Sequence, residues 1–245
     1  MKELNQSVAL ILSLIILALG IGYAGSKIHD GLTNFKSFDR SVMMKGLAQR
    51  DVMADLALWP IAYTETGNNL TALQDLMDTR GTTLLTFLKE NGLTADEIEL
   101  QKVQVQDLLA QSYRNNNAQN NRYILTQTYL VRTNNIDAVE KAAKNVGQLI
   151  RQGVVFSQSG ATTPTYLFTK LNDIKPEMIA EATKSAREAA KEFANNSGQE
   201  VGGIKYASQG VFQILPRDQT YAIPEAQQKR KTVRVVSTIR FYLED

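Results

Sequence analysis

Residues 232–243 read TVRVVSTIRFYL. Val233, Val235, Ile239, Phe241 and Leu243 fall on one side of an extended chain, and Thr232, Arg234, Thr238 and Arg240 on the other. Side chains alternate between faces along a strand, so this stretch predicts a half-buried antiparallel strand. The apolar face needs a cover. Upstream, a helix beginning around Pro176 and running to about Asn196 carries Ile179, Ala182, Ala186, Ala189, Ala190 and Phe193 inward, with Gly198 as its stop. Proline suits the first turn of a helix. The many alanines predict close packing against a flat sheet.

The same alternation recurs along the chain. Phe38, Val42 and Met44 alternate until Gly46 breaks the run, and Val52–Tyr63 predicts a long strand. Pro60 inside it argues for an edge or a bulge. Leu70, Leu73, Leu76, Met77, Leu84, Phe87 and Leu88 keep helical spacing between about Asn69 and Asn91. Ile98 and Leu100 alternate, as do Val103 and Val105, but the phase slips at Gln101-Lys102, which predicts a β-bulge. Residues 111–121, QSYRNNNAQNN, predict a hairpin tip. A strand over Tyr123–Arg132 precedes a helix from about Asn135 to Arg151, then the short apolar run Val154–Phe156 and a strand over Tyr166–Leu171. Ile204–Ile214 predicts another strand, with a loop over 215–229. The expected order, ββαββαββαββ, is an α+β fold of antiparallel sheets with helices packed on one face.

A different kind of segment precedes all of this. Val8–Gly25, VALILSLIILALGIGYAG, is 18 residues without a charge. As a helix it spans roughly 27 Å, close to the roughly 30 Å core of a bilayer. Residues 1–7 are then an N-terminal tail, 8–26 a transmembrane helix, 27–37 a linker and 38–245 the remaining domain. A cleaved signal peptide is the rival reading. Against it, Lys2 is offset by Glu3 and the run exceeds the usual 7–15 residues of a signal h-region. Lys2 before the span and Lys27 and Lys36 after it leave the orientation undecided by charge. A short tail and a large trailing domain fit a signal-anchor with its C-terminus exported. Gly20-Ile21-Gly22-Tyr23-Ala24-Gly25 matches G-x-G-x-x-G, but a dinucleotide site needs that motif between a strand and a helix. The pairs Ala18/Gly22 and Gly20/Ala24 suit close helix packing in lipid instead.

Composition removes whole classes of chemistry. With 27 Lys+Arg against 25 Asp+Glu, no strong field attracts nucleic acid. Cys is absent, which excludes thiol catalysis, thiolate metal sites and a lipoprotein anchor. His29 is the sole histidine and sits just past the apolar run, so no His base and no multi-His metal site is available to the domain. Asp51 and Asp55 are about 13 Å apart on a strand, too far for a glycosidase pair. Lys184/Ser185 and Ser41/Lys45 lack any surrounding Ser–Lys motif. Lys229-Arg230-Lys231 with Arg234 is a basic patch, read as a solvated strand start or a contact for lipid phosphates or an acidic surface. Trp59 serves as an interface anchor or as packing. No catalytic, cofactor-binding or metal-ligating residue is assigned, and no cofactor is expected.

Several stretches together carry a resemblance: VMMKGLAQRDVMADLALWPI at 42–61, LKENGLTADEIEL at 88–100, YILTQTYLVRTNNIDAV at 123–139, GVVFSQS at 153–159, LNDIKPEMIAEATKSAREAAKEFANNSGQEVGGIKYASQGVFQI at 171–214 and VRVVSTIRFYLED at 233–245. In these the chain resembles the SIMPL-domain family of bacterial cell-envelope proteins, and within it a membrane-anchored periplasmic branch. The resemblance implies two interleaved α+β parts, an extracytoplasmic location, and homo-oligomers of ring- or cage-like form in some members. It brings no catalytic residues. Some relatives are associated with oxidative-stress defence, but nothing in this chain supports redox chemistry. The expectation is a single-pass protein of the bacterial inner membrane, held in lipid by residues 8–25, whose periplasmic domain assembles with itself beyond a dimer and has no catalysis of its own. A binding module for an envelope ligand or partner is the alternative, and a carboxylate hydrolase a third.

Overall fold

The computed structural model describes residues 17–27, 40–110, 121–157, 163–218, 220 and 223–244. Residues 17–27 are helical and exposed. Among the described residues no helix is long and apolar enough to cross a membrane. The first part of the apolar run, most of the linker with His29, and the expected tip at 111–120 lie outside them.

Among the described residues eight strands and four α-helices follow: β1 Ser41–Met53, β2 Leu56–Gly67, α1 Leu70–Glu90, β3 Ile98–Asp107, β4 Tyr123–Thr133, α2 Ile136–Asn145, α3 Gly147–Arg151, β5 Thr165–Leu167, α4 Leu171–Ser197, β6 Glu200–Gln209, β7 Gln213–Pro216 and β8 Arg230–Glu244. They form two four-stranded sheets. One has the order β1-β8-β6, with β7 also on β8, and the other β3-β4-β2-β5. Every pairing with a resolved register is antiparallel. The fold is α+β. The chain divides into two compact units interleaved in sequence. One takes residues up to Ala48, Ile179–Val211 and Val235 onward, and the other Gln49–Met178 with Phe212–Arg234.

In the unit built on Gln49–Met178, β2 and β4 pair along eleven positions, from Ala57 opposite Thr133 to Gly67 opposite Tyr123. Trp59, Ile61, Tyr63, Leu125 and Val131 bury one face beneath Leu73, Met77, Leu84 and Leu88 of α1 and Val139 and Leu149 of α2 and α3. Side chains of this size contribute roughly 1.5–3 kcal/mol each when fully buried. Helix α1 starts where Asn69 Oδ1 accepts the Ala72 N–H at 3.1 Å, an N-cap that satisfies one orphan donor. It ends at Asn91, followed by Gly92 at φ 96. Gly81 weakens an isolated helix. Here a Cβ would meet the Tyr63 hydroxyl at 2.9 Å and that of Tyr129 at 3.1 Å, so the glycine makes room for two phenols.

In the other unit, Ala182, Ala186, Ala190 and Ala194 of α4 are fully buried, one per turn. Ala186 and Ala190 pack with Val42, Ile239 and Phe241 of β1 and β8. The predicted close packing is extreme at Gly46. A Cβ there would lie 1.8 Å from the Ala182 carbonyl oxygen and 2.6 Å from the Ala186 nitrogen. Gly46 therefore does not break the strand as expected. It sits inside β1, because only a residue without a side chain lets the helix backbone approach.

Other expectations are corrected. The first break falls at Ala54-Asp55, held by Ala54 N–H to Lys229 O at 2.8 Å and Asp55 N–H to Leu167 O at 2.9 Å. Strand β2 is interior, but β5 covers only Leu56–Leu58, so Pro60 lies past the end of that neighbour. The helix over 135–151 is two helices that meet at Val146. Strand β5 is three residues, and α4 starts at Leu171. Pro176 is thus inside α4, where it removes one early backbone bond. Ala189 and Phe193 face outward, because the buried stripe follows a strict four-residue step. The strand over 204–214 is two, β6 and β7, divided at Gly210, whose N–H bonds Val236 O at 2.9 Å. One strand therefore moves, and the order is ββαββααβαβββ.

Gly46→Ala is expected to destabilise the protein by at least about 1–3 kcal/mol, the usual penalty of overpacking, read from the urea midpoint. Gly147→Ala, where nothing lies within 4 Å of the new methyl, is expected to leave that midpoint unchanged or slightly raised. Equal midpoints for both variants would contradict the close approach at Gly46.

Candidate functional site

The ionisable residues singled out in the sequence are engaged in holding the fold. Asp51 accepts the Thr232 hydroxyl at 2.7 Å, and Arg217 Nε lies 3.7 Å away. Asp55 accepts the Thr169 N–H at 2.6 Å and its hydroxyl at 2.7 Å. The two carboxylates are committed to separate partners, Asp51 to the Thr232 hydroxyl on β8 and Asp55 to Thr169 just past β5, and do not form an acid–base pair. Lys184 is paired along its helix with Glu188 at 3.9 Å, and nothing places Ser185 as a nucleophile. The structure does not bring Ser41 and Lys45 into a supported pair either. Trp59 is 1% exposed and belongs to the core, not to a surface.

The basic patch is not a solvated face. Lys229 pairs with Glu140, and Lys231 is fully buried, donating to Glu225 O at 2.8 Å and to the Glu225 carboxylate. Arg230 is exposed, and Arg234 keeps a buried Nε with no hydrogen-bond partner among the described residues. The sequence shows four cations within the six residues 229–234. It does not show that alternate ones turn inward, because Glu140 lies 89 residues from Lys229 and the turn that folds Glu225 back onto Lys231 carries no clear pattern. Glu140 accepts from Lys144 at 2.8 Å and from Lys229. Those two ammonium groups hold its carboxyl down at about 2.

A polar network in the core was also invisible to sequence reading. The Tyr63 hydroxyl lies 2.6 Å from Gln127 Oε1 and 3.2 Å from Met77 O. Its ring stacks on Tyr129 with centroids 6.4 Å apart. Burial, with Tyr129 beside it, pushes the Tyr63 hydroxyl well above the ordinary tyrosine range. It therefore remains a proton donor, satisfying buried Gln127 rather than ionising. Among the described residues no group of three or more His, Cys, Asp or Glu could hold a metal ion.

Two surface features remain. One is an open groove of about 430 Å³ lined by Thr82, Thr83, Thr86, Phe87, Glu90 and Gln152. Its threonine hydroxyls donate to the carbonyls of Asp78, Thr79 and Thr82 at 2.9–3.0 Å, so they present methyl groups and no activated nucleophile. The other is strand β3. Among the described residues it is the edge of its sheet, paired only with β4. Ile98 pairs with Val131, Leu100 with Tyr129, Val103 with Gln127 and Val105 with Leu125. The register shifts between Leu100 and Lys102, where the bulge was predicted. Without that extra residue Val103 and Val105 would turn to the opposite face. With it, all four apolar side chains share the face of buried Val131, Gln127 and Leu125. Yet Leu100, Val103 and Val105 remain 47%, 48% and 50% exposed. The far end of β3 is clamped. Arg122 donates to both Asp107 oxygens, Nη2 at 2.8 Å and Nε at 3.2 Å, and Leu109 N–H to Asp107 Oδ1 at 2.9 Å. Those hydrogen bonds from Arg122 and Leu109 keep the Asp107 carboxyl below the usual range.

The Glu140 pair predicts a pH signature. A carboxyl held down in the folded state contributes stability above its ordinary range near 4.5, and loses it as pH falls toward about 2. The urea midpoint of the unmodified protein should exceed that of Glu140→Gln at pH 6, and the gap should close between pH 4.5 and 2. A gap independent of pH would contradict the ion pair.

No curated protein matches the chain. The profile of the SIMPL family, described as a protein of unknown function (DUF541), matches residues 42–241. That match covers most of the chain and both units of the fold, and the chain belongs to the SIMPL family.

Proposed function

We propose that the protein is a membrane-anchored component of the bacterial cell envelope that assembles with itself and acts as a scaffold or enclosure without catalysis of its own. The observation that carries the reading is the edge strand β3, ten residues long with three half-exposed apolar side chains on one face. An unpaired apolar edge invites aggregation, and ordered pairing with another subunit removes the hazard. The uncharged run at 8–26 supports the anchor, with the domain on the periplasmic side of the inner membrane. Anchoring raises the effective concentration of copies, so weak contacts act together. The hydrogen bonds of Asp51 to Thr232 and of Asp55 to Thr169, with the inward pairing of Lys229 and Lys231, support the absence of catalysis. A second reading, a binding module for an envelope ligand, rests on the open groove along α1.

The full chain extracted in mild detergent is expected to have a protein mass above twice 27.2 kDa across a dilution series. A stable monomer would sink the assembly and favour the binding module. Ser208 is exposed and the chain has no Cys, so Ser208→Cys creates a single reporter. It should react with an impermeant thiol reagent once the outer membrane is permeabilised. Reaction only after inner-membrane lysis would overturn the orientation.

A further inference from the structure

We propose that β3 pairs antiparallel with β3 of a second copy, about a two-fold axis through Gln104. The inference rests on the self-assembly reading and names one of its contacts. Strand side chains opposite one another keep the same face when the axis is perpendicular to the sheet. Centring on Gln104 sets Val103 opposite Val105 of the second copy, and Val105 opposite its Val103. Lys102 then meets Gln106 of the second copy, and Gln104 meets its counterpart. Both half-exposed valines of each copy become cross-strand apolar pairs, the unit of sheet stabilisation. The free backbone groups of β3 gain partners as well.

The register centred on Lys102 and the other edges fit less well. Centring on Lys102 places it against Lys102 of the second copy, and like charges directly opposite are destabilising. Strand β1 is also an edge, with Met43 and Leu47 exposed. Pairing Met43 with Leu47 of a second copy would centre Lys45 on its own counterpart. Strand β6 carries two register shifts, between Val201 and Ile204 and between Ile204 and Tyr206, and bulges of this kind blunt an edge. Strand β5 has three residues. A two-fold contact closes a dimer, so a larger assembly uses β3 beside a second contact.

The test uses the full chain in mild detergent. Directly opposed residues in an antiparallel pair have Cα atoms about 4.5–5.5 Å apart, within disulfide reach. Gln104→Cys, the only thiol in the protein, should form a disulfide-linked dimer on mild oxidation. Gln106→Cys is the control. It lies on the same exposed face of the same strand, but its counterpart would be about 13 Å away. Cross-linking at 104 should be at least about ten-fold faster than at 106, because only the former pair meets the disulfide distance. Replacing both valines, Val103→Lys with Val105→Lys, should abolish the cross-link of Gln104→Cys and lower the assembly mass with the circular dichroism unchanged. An oligomer in which positions 104 and 106 cross-link equally, or not at all, overturns this contact and leaves the assembly reading standing. An unmodified chain that is monomeric overturns both.

Discussion

Every β-strand presents hydrogen-bonding groups on both of its sides, and a fold is complete only when both are met. In the sheet β3-β4-β2-β5, strand β4 is paired along its length by β2 and β3. Strand β2 is paired by β4, by β5 over three residues, and by Phe156 at Tyr63. The demand stops being met at β3. Its backbone faces outward, and its apolar side chains extend the face that α1 covers over β2 and β4. The bulge at Gln101 keeps them there. The α+β architecture thus supplies its own core for most of its strands and leaves edges at β1, β6, β5 and β3; three half-exposed apolar side chains share one face of the β3 edge. We take that edge to be where the chain meets other copies.

Within the unit that contains Gly46, a second constraint governs the packing. Fixed backbone atoms of α4 come so close to β1 that only glycine fits, and the helix must present alanine at each turn. A close backbone approach leaves no cavity to collapse and no side chain to rearrange. Substitutions along that stripe act on the spacing of helix and sheet, not on one contact. The cation of Arg187 over the Phe241 ring, 4.9 Å from its centroid, covers the same core from the helix side.

Much of this was legible in the residues. The alternation of β8, the caps of α1 at Asn69 and Asn91, the alanine-rich helix and the bulge at Gln101 are local patterns, set by neighbours in sequence. What escaped depends on neighbours distant in the chain. Gly46 looked like a break because glycine usually ends a strand pattern, whereas here it answers a helix more than 130 residues later. Leu171–Lys175 carried no helical signature strong enough to outweigh the helix-starting preference of Pro176. Lys229 looked solvated because Glu140, 89 residues earlier, could not be placed beside it. The alternating Leu100, Val103 and Val105 announced a strand with a bulge, and nothing in a single sequence says that the strand carrying them lies at the rim of its sheet.

Asp51, Asp55, Lys229 and Lys231 are engaged in hydrogen bonds and ion pairs within the fold, and the self-assembly reading rests on the surface edge at β3. Cryo-electron microscopy of the full-length protein in mild detergent addresses that most directly, because it shows subunit number, the membrane-facing side and the environment of each strand together. The account requires more than two copies, with β3 of one copy continuing the sheet of another on the side that faces away from β4. A lone copy, or an assembly in which β3 stays open to solvent, would contradict it.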